Sequence, residues 1–270
     1  MQINNDVSLY CGDCTHIMDS NSEYAVGGAF GNKSIDMILC DLPYGILNKT
    51  NHNAKWDSVI EFEVLWNQYL RLIKDNGAIV LFGSGMFTSN LMQSQKKLWR
   101  YNLIWDKVAK SGFLNANRMP LRQHEDICVF YKKLPVYNPQ MIPCEPHKRN
   151  HTKGNLKNPS KNNCYGSFVE VPTVISDVKY PTSIISIPKE HCNGKFFHPT
   201  QKPVELLEWL IKTYTNDGDV VLDNCMGSGS TGVACVNTNR KFIGIEKEEK
   251  YFDIAKARIK ESILKKQEEQ

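Results

Sequence analysis

Apolar positions along this chain come in short blocks that alternate between two periods. Ile35–Cys40 (IDMILC) is a brief apolar run cut off by Asp41-Leu42-Pro43-Tyr44-Gly45, the mark of a buried strand that stops at a turn. Phe62, Leu65, Trp66, Tyr69, Leu70 and Ile73 then recur at spacings of three and four, which predicts a helix closed by Asn76-Gly77. Ala78–Phe82 (AIVLF) predicts a second buried strand, so the three blocks make a strand–helix–strand unit of the parallel α/β type. A helix is expected over Thr88–Leu98, with strands at Leu103–Trp105 and Ile127–Tyr131. The same grammar returns near the end. Pro203–Tyr214 predicts a helix with proline in its first turn and Val204, Leu207, Leu210 and Ile211 on one face. Val220–Leu222 is a strand ended by Asp223, Ser230–Asn237 a helix, Phe242–Ile245 a strand ended by Glu246, and Tyr251–Lys265 a closing helix.

Between these halves the pattern lapses. From Val136 to Phe197 the chain is rich in Pro, Asn, Lys, His and Ser and has poor periodicity. The division expected is therefore 1–135 with 198–270 as one catalytic domain, and 136–197 as an inserted, loop-rich region. The insert contains KRNHTKGNLKNPSKNN, which carries five basic residues (Lys148, Arg149, Lys153, Lys157 and Lys161) and no acid. Such a run can neutralise phosphates. The alternative is a solvated loop.

Composition narrows the class only a little. A hydrophobic share of 41% and a charged share of 23% suit a soluble globular protein of 270 residues. The net charge of +4 permits a polyanionic partner without requiring one. No apolar stretch approaches the roughly 18 residues of a membrane span, and MQINNDVSLYCGDC lacks a secretion signal, so a cytoplasmic protein with no membrane partner is expected. Nine scattered cysteines read as reduced thiols. Cys11 and Cys14 have CxxC spacing but no second pair, and His147, His151, His191 and Cys192 follow no zinc-site order, so no metal site is expected.

Two motifs carry the candidate chemistry. In VVLDNCMGSGSTGVACV, a strand ending at Asp223 runs into Gly227 and Gly229 and then a helix. Glycines there let the backbone approach a ligand closely. Glu246 closes the next strand 23 residues after Asp223, where an acid can hydrogen-bond both hydroxyls of a ribose. The pair points to a nucleoside cofactor. The second motif is Asp41–Tyr44, which puts an acceptor and an aromatic ring at the carboxyl end of a strand, facing the crevice of an open α/β sheet.

Asp41–Tyr44 resembles the (D/N/S)PP(Y/F) motif of the DNA amino-methyltransferases, and Asp223–Gly229 resembles their cofactor loop, usually DPFxGSG. The order of catalytic motif, basic variable region and cofactor loop is similar to that of the beta group. Cys11-Gly12-Asp13, Arg122–Tyr131 (RQHEDICVFY) and His198–Leu207 (HPTQKPVELL) resemble further blocks of that family, so the likeness spans about 200 residues. The resemblance implies a Rossmann-like methyltransferase fold: a mostly parallel, doubly wound, seven-stranded sheet with an inserted target-recognition region. It implies S-adenosylmethionine, held by Asp13, His198, Thr200, Lys202, Asp223, Cys225, Gly227, Gly229, Ser230 and Glu246. Two positions depart from the pattern. Leu42 stands for the first proline, and still supplies the backbone carbonyl the family uses. Cys225 stands for the usual phenylalanine, leaving adenine packing looser or filled by Met226.

By the same resemblance, Asp41 and the carbonyl of Leu42 accept the two N–H groups of the target amine, Pro43 completes the turn, and Tyr44 stacks on a base flipped out of double-stranded DNA. Asp in the first position accompanies N6 of adenine in the family, and Ser accompanies N4 of cytosine. The reading is thus an adenine-N6 methyltransferase, with N4 of cytosine as the alternative and a non-catalytic DNA-binding protein as the other class. Pro143-Cys144 is not the nucleophile pair of a C5-cytosine enzyme, because it precedes the glycine loop. A homodimer and a cognate restriction endonuclease are expected as partners from resemblance alone, and a solitary enzyme fits equally.

Overall fold

The computed structural model describes residues 1–23, 30–46, 57–149, 174–189 and 201–268. It divides into two compact units, 1–138 with 183–270, and 139–182.

Among the described residues of the larger unit, eight strands form one sheet. In chain order they are β1 (Val7–Cys11), β2 (Ile35–Cys40), β3 (Ile73–Gly83), β4 (Trp99–Ser111), β5 (Arg122–Phe130), β8 (Ile184–Ser186), β9 (Val220–Asp223) and β10 (Lys241–Glu246). Across the sheet they run β1-β10-β9-β2-β3-β5-β4-β8. The five strands from β1 to β3 are parallel; β5 is antiparallel to both β3 and β4. The count is eight where seven were expected. The short β8 pairs with β4 at Ile104–Asp106, and it comes from the end of the segment that composition assigned to the insert. Its three residues are too few to show a period.

Side chains alternate across the sheet, as the pleat requires. Met37 and Leu39 of β2, with Ala78, Val80 and Phe82 of β3, face helices α4 (Val204–Tyr214), α5 (Ser230–Asn237) and α6 (Glu249–Glu268). Ile38 and Cys40, with Ile79 and Leu81, face α1 (Cys14–Ile17), α2 (Phe62–Leu72) and α3 (Met86–Ser94). Burial on both faces explains why these strands read as unbroken apolar runs. Helix α2 ends at Leu72, four residues before the expected Asn76-Gly77 stop. The chain enters β3 at once, and its register against β2 slips between Ile35 and Met37. A Cβ on Gly77 would lie 2.7 Å from the Asp36 carbonyl, so glycine is needed for that close approach rather than as a helix cap.

The smaller unit contains an antiparallel pair, β6 (Ile142–Arg149) and β7 (Val174–Lys179), where only loop was expected. Among the described residues no helix is long and apolar enough to cross a membrane.

Candidate active site

Strand order changes direction between β9 and β2. Chain segments following β2 extend the sheet one way, and those of β9 and β10 the other. At such a switch point the loops leaving the carboxyl ends part and open a crevice. Because β1, β10, β9 and β2 are parallel, their carboxyl ends share one edge. Asp13, Glu246, Asp223 and Asp41 stand at or just beyond those four ends, and all line one cleft of about 800 Å³. Leu42, Pro43, Tyr44, Lys202, Cys225, Gly227 and Ser230 line it too. The topology thus gathers residues that lie more than 200 positions apart.

The cofactor loop is tied down by its own acids. Asp223 accepts the Cys225 amide at 3.0 Å and the Thr231 hydroxyl at 2.6 Å, which joins the end of β9 to the first turn of α5. Burial pushes the Asp223 carboxyl up to about 6. Gly229 has φ 79°, and a Cβ there would lie 2.8 Å from the Cβ of Ala255 on α6. Glycine is therefore required. Glu246 accepts the amides of Gly227 and Glu248, each at 2.8 Å, and burial raises its carboxyl. The Lys247 amide also bonds this carboxylate, and because an ionised carboxylate offers about four acceptor sites, capacity remains for a hydroxyl. Asp13 caps α1 through the Thr15 amide at 3.0 Å and pairs with Lys247 at 3.0 Å. Ser230 opens α5, where Arg258 reaches its hydroxyl at 3.2 Å.

Cys225 meets the thiols of Cys14 and Cys40 and the Asn224 amide. The Asn224 amide nitrogen lies 3.5 Å from both the Cys225 and the Cys14 sulfur. Met226 is buried at the cleft wall, and a Cβ built on Gly244 of β10 would meet its sulfur, so glycine there leaves room for the methionine.

On the β2 side, both oxygens of Asp41 are engaged. Tyr44 donates its hydroxyl to Oδ1 at 2.9 Å, and the Lys202 ammonium sits on Oδ2. Burial raises Asp41, with the Lys202 charge opposing. The ring of Tyr44 leans on Phe87, with centroids 4.7 Å apart. Leu42 is buried with the α2 cluster, consistent with a structural side chain and a backbone role.

Lys202, assigned by resemblance to the cofactor, is therefore placed on the catalytic motif. Lys148 and Arg149 lie on β6, in the smaller unit. His198, Thr200, Lys153, Lys157 and Lys161 lie outside the described residues.

The motifs missed three contributors. Asp57 is buried and accepts the amides of Gly45 at 3.0 Å and Ile46 at 2.8 Å, so it fixes the chain leaving Tyr44. Nothing in AKWDSV distinguishes it from a helix cap. Asn224 accepts from the buried Tyr69 hydroxyl at 2.5 Å. Glu125 ion-pairs with Lys107 at 3.2 Å and Lys202 at 3.4 Å. Followed directly by Asp126, it carries no mark in the strand pattern.

A mostly parallel α/β sheet with a glycine loop, an acid ending the next strand and an Asp-Leu-Pro-Tyr turn at the switch point defines a methyltransferase-like site. Residues 35–257 match the N6/N4 DNA methylase family model, and the chain belongs to that family of DNA methylases. Among curated relatives, it is 29% identical to the type II methyltransferase M.HpaI of Haemophilus parainfluenzae, covering 84% of this chain and 68% of that protein. It is 28% identical to M.HinfI of Haemophilus influenzae, over 85% of this chain and 64% of that protein, just under two thirds of its length. The solved complex of M1.HpyAVI with S-adenosylmethionine superposes with TM-score 0.63 at 26% identity, covering 94% of this chain and 98% of the other. The PvuII methyltransferase, which is specific for N4 of cytosine, superposes with TM-score 0.64 at 17% identity, and so shares the fold.

Proposed function

We propose that this DNA methyltransferase uses S-adenosylmethionine to methylate N6 of adenine at specific sites in double-stranded DNA. The observation that carries the reading is Asp41, a carboxylate at the switch point beside the glycine loop. The cleft suits the cofactor in size and in donors. Its 800 Å³ lies within the range of about 300–1,000 Å³ for small-molecule sites. Glu246 would hold the ribose, the Gly227–Gly229 turn would admit the nucleoside, and Asp13 would approach its adenine.

The bound cofactor supplies an activated methyl group as a sulfonium. Adenine N6 is a weak nucleophile because its lone pair is delocalised. Asp41 and the Leu42 carbonyl would accept its two N–H groups, favour a pyramidal nitrogen and aim the lone pair at the methyl carbon. As the N–C bond forms, the methyl's bond to sulfur would break with its electron pair left on a neutral thioether, and one proton would leave the nitrogen toward Asp41. Catalysis would be positioning and electrostatics, with no covalent enzyme intermediate. Tyr44 would stack on a flipped base by turning from Phe87.

The region 136–197 would read the DNA sequence, with its lysines and Arg149 on phosphates. The β4–β5 connection would border the duplex as well, since Ser111 and Arg122 at its base line the cleft. By resemblance we further propose a homodimer in the cytoplasm, paired with a cognate endonuclease.

Asp41→Ala tests the reading. Methyl transfer should fall by at least about 10³-fold, as for removal of a principal transition-state interaction, while calorimetry shows cofactor affinity within about threefold of the parent. Normal turnover by that variant would remove Asp41 from the chemistry.

A further inference from the structure

Lys202 places its ammonium on the Asp41 oxygen that a target amine would share. With Tyr44 on Oδ1 and the ammonium on Oδ2, a target amine must compete for an oxygen already bound to a cation. Losing that cation outright would be costly, because Lys202 is 8% exposed and its ammonium lies 4.9 Å over the Phe82 ring.

The destination for the cation is already built. Among the described residues, one buried side-chain polar atom lacks a hydrogen bond, and it is Glu125 Oε2. It stands 3.4 Å from Lys202 Nζ, an ion pair without a hydrogen bond's geometry. Its other oxygen is held by Lys107 at 3.2 Å, so the carboxylate is anchored while Oε2 is free to accept. Orphaned buried acceptors are rare and ask for an explanation.

We propose that Glu125 is a positioning residue that takes the Lys202 ammonium from Asp41 when the target amine arrives. This rests on the reading of Asp41 as the amine acceptor. The ammonium shifts a short way, completes its hydrogen bond to Oε2, and stays charged and paired. Asp41 Oδ2 is then open to an N–H of the base. The ammonium passes from one carboxylate to the other within the cluster, so the exchange moves no net charge.

The test is Glu125→Gln, with Glu125→Asp as the conservative variant. Lys202 would remain on Asp41, so kcat should fall about 10- to 100-fold, while KM for DNA and cofactor affinity stay within about twofold. The acidic limb of the kcat profile should also move to lower pH. Asp41 is faced by Tyr44, Lys202 and Glu125, with Asp223 and Cys40 beyond and Lys107 and Lys189 beside Glu125. Removing the Glu125 charge takes away a like charge and leaves the cation in place, so Asp41 ionises more readily. Glu125→Asp should recover part of kcat. In a Lys202→Gln background, where no cation needs a new partner, Glu125→Gln should cost less than about threefold.

Losses that multiply in the double variant, or an unmoved acidic limb, would overturn the proposal and leave Glu125 as a structural ion-pair partner. Asp41→Ala with normal turnover would instead remove the reading on which it stands, so the two failures are told apart. Near-ultraviolet circular dichroism on each variant guards against misfolding, and Glu125→Asp carries the test if Glu125→Gln does not fold.

Discussion

The hydroxyl of Tyr69 on α2 donates to the side-chain Oδ1 of Asn224 at 2.5 Å, and both residues are buried. This one bond fastens the start of the cofactor loop to a helix 155 positions earlier in the chain. Tyr69→Phe keeps the ring and its T-shaped packing on Trp66 but strands the Asn224 oxygen. It should cost about 1–3 kcal/mol in urea unfolding. Cofactor affinity should weaken with it; unchanged affinity would mean the loop holds its shape without α2.

Gly229 gives a sharper test of the loop's backbone. Gly229→Ala forces a side chain into a left-handed conformation and against Ala255. The conformational part alone costs about 1–2 kcal/mol, and the clash adds to it. Thermal unfolding should show a loss of at least that size. A neutral result would mean that α6 shifts freely away from α5.

Asp223 predicts a pH dependence with a definite sign. Burial raises its folded-state carboxyl to about 6 from the ordinary 3.8. The folded protein thus prefers the protonated acid, and stability contributed by this group is present below about 3.8 and lost as pH rises through about 6. The full difference is about 3 kcal/mol. Asp223→Asn cannot ionise. When urea unfolding of this variant and the parent is compared from about pH 4.5 to about 7.5, the parent should lose ground as pH rises, then hold level. A constant difference across that window would show that Asp223 ionises normally.

At the tip of the β4–β5 connection, Phe113 and Leu114 are 75% and 85% exposed. Lys110, Arg118 and Arg122 belong to the same connection or its flanks. Two large apolar side chains thus stand in water beside basic ones. Phe113→Ser with Leu114→Ser should leave thermal stability within about 0.5 kcal/mol, because these side chains pack against little. The same variant should raise KM for DNA. Lys110→Ala with Arg118→Ala should flatten the salt dependence of DNA binding by about 0.9 in slope for each phosphate no longer neutralised. Unaltered DNA affinity in both variants would place the duplex elsewhere.

How much of this could be read from the chain depended on what each residue's signal was. β2, β3, β9 and β10 announced themselves because both their faces are buried, which leaves unbroken apolar runs. Asp41, Asp223 and Glu246 were legible because each ends such a run. β1 was missed, since in VSLYC the inward Val7 and Leu9 alternate with partly exposed positions too briefly to stand out. β6 and β7 were hidden by prolines and lysines in a two-stranded unit that has no large face to bury. Asp57, Glu125 and the placement of Lys202 on Asp41 are tertiary facts. They depend on which residues the sheet order brings together, and single-strand patterns carry no trace of that.

The most direct test of the account is to supply labelled S-adenosylmethionine and unmethylated DNA, digest the product to nucleosides and resolve them by mass spectrometry. The label should appear in N6-methyladenine, and Asp41→Ala should abolish it. Label in N4-methylcytosine, or none on DNA while the cofactor still binds, would contradict the adenine-N6 assignment.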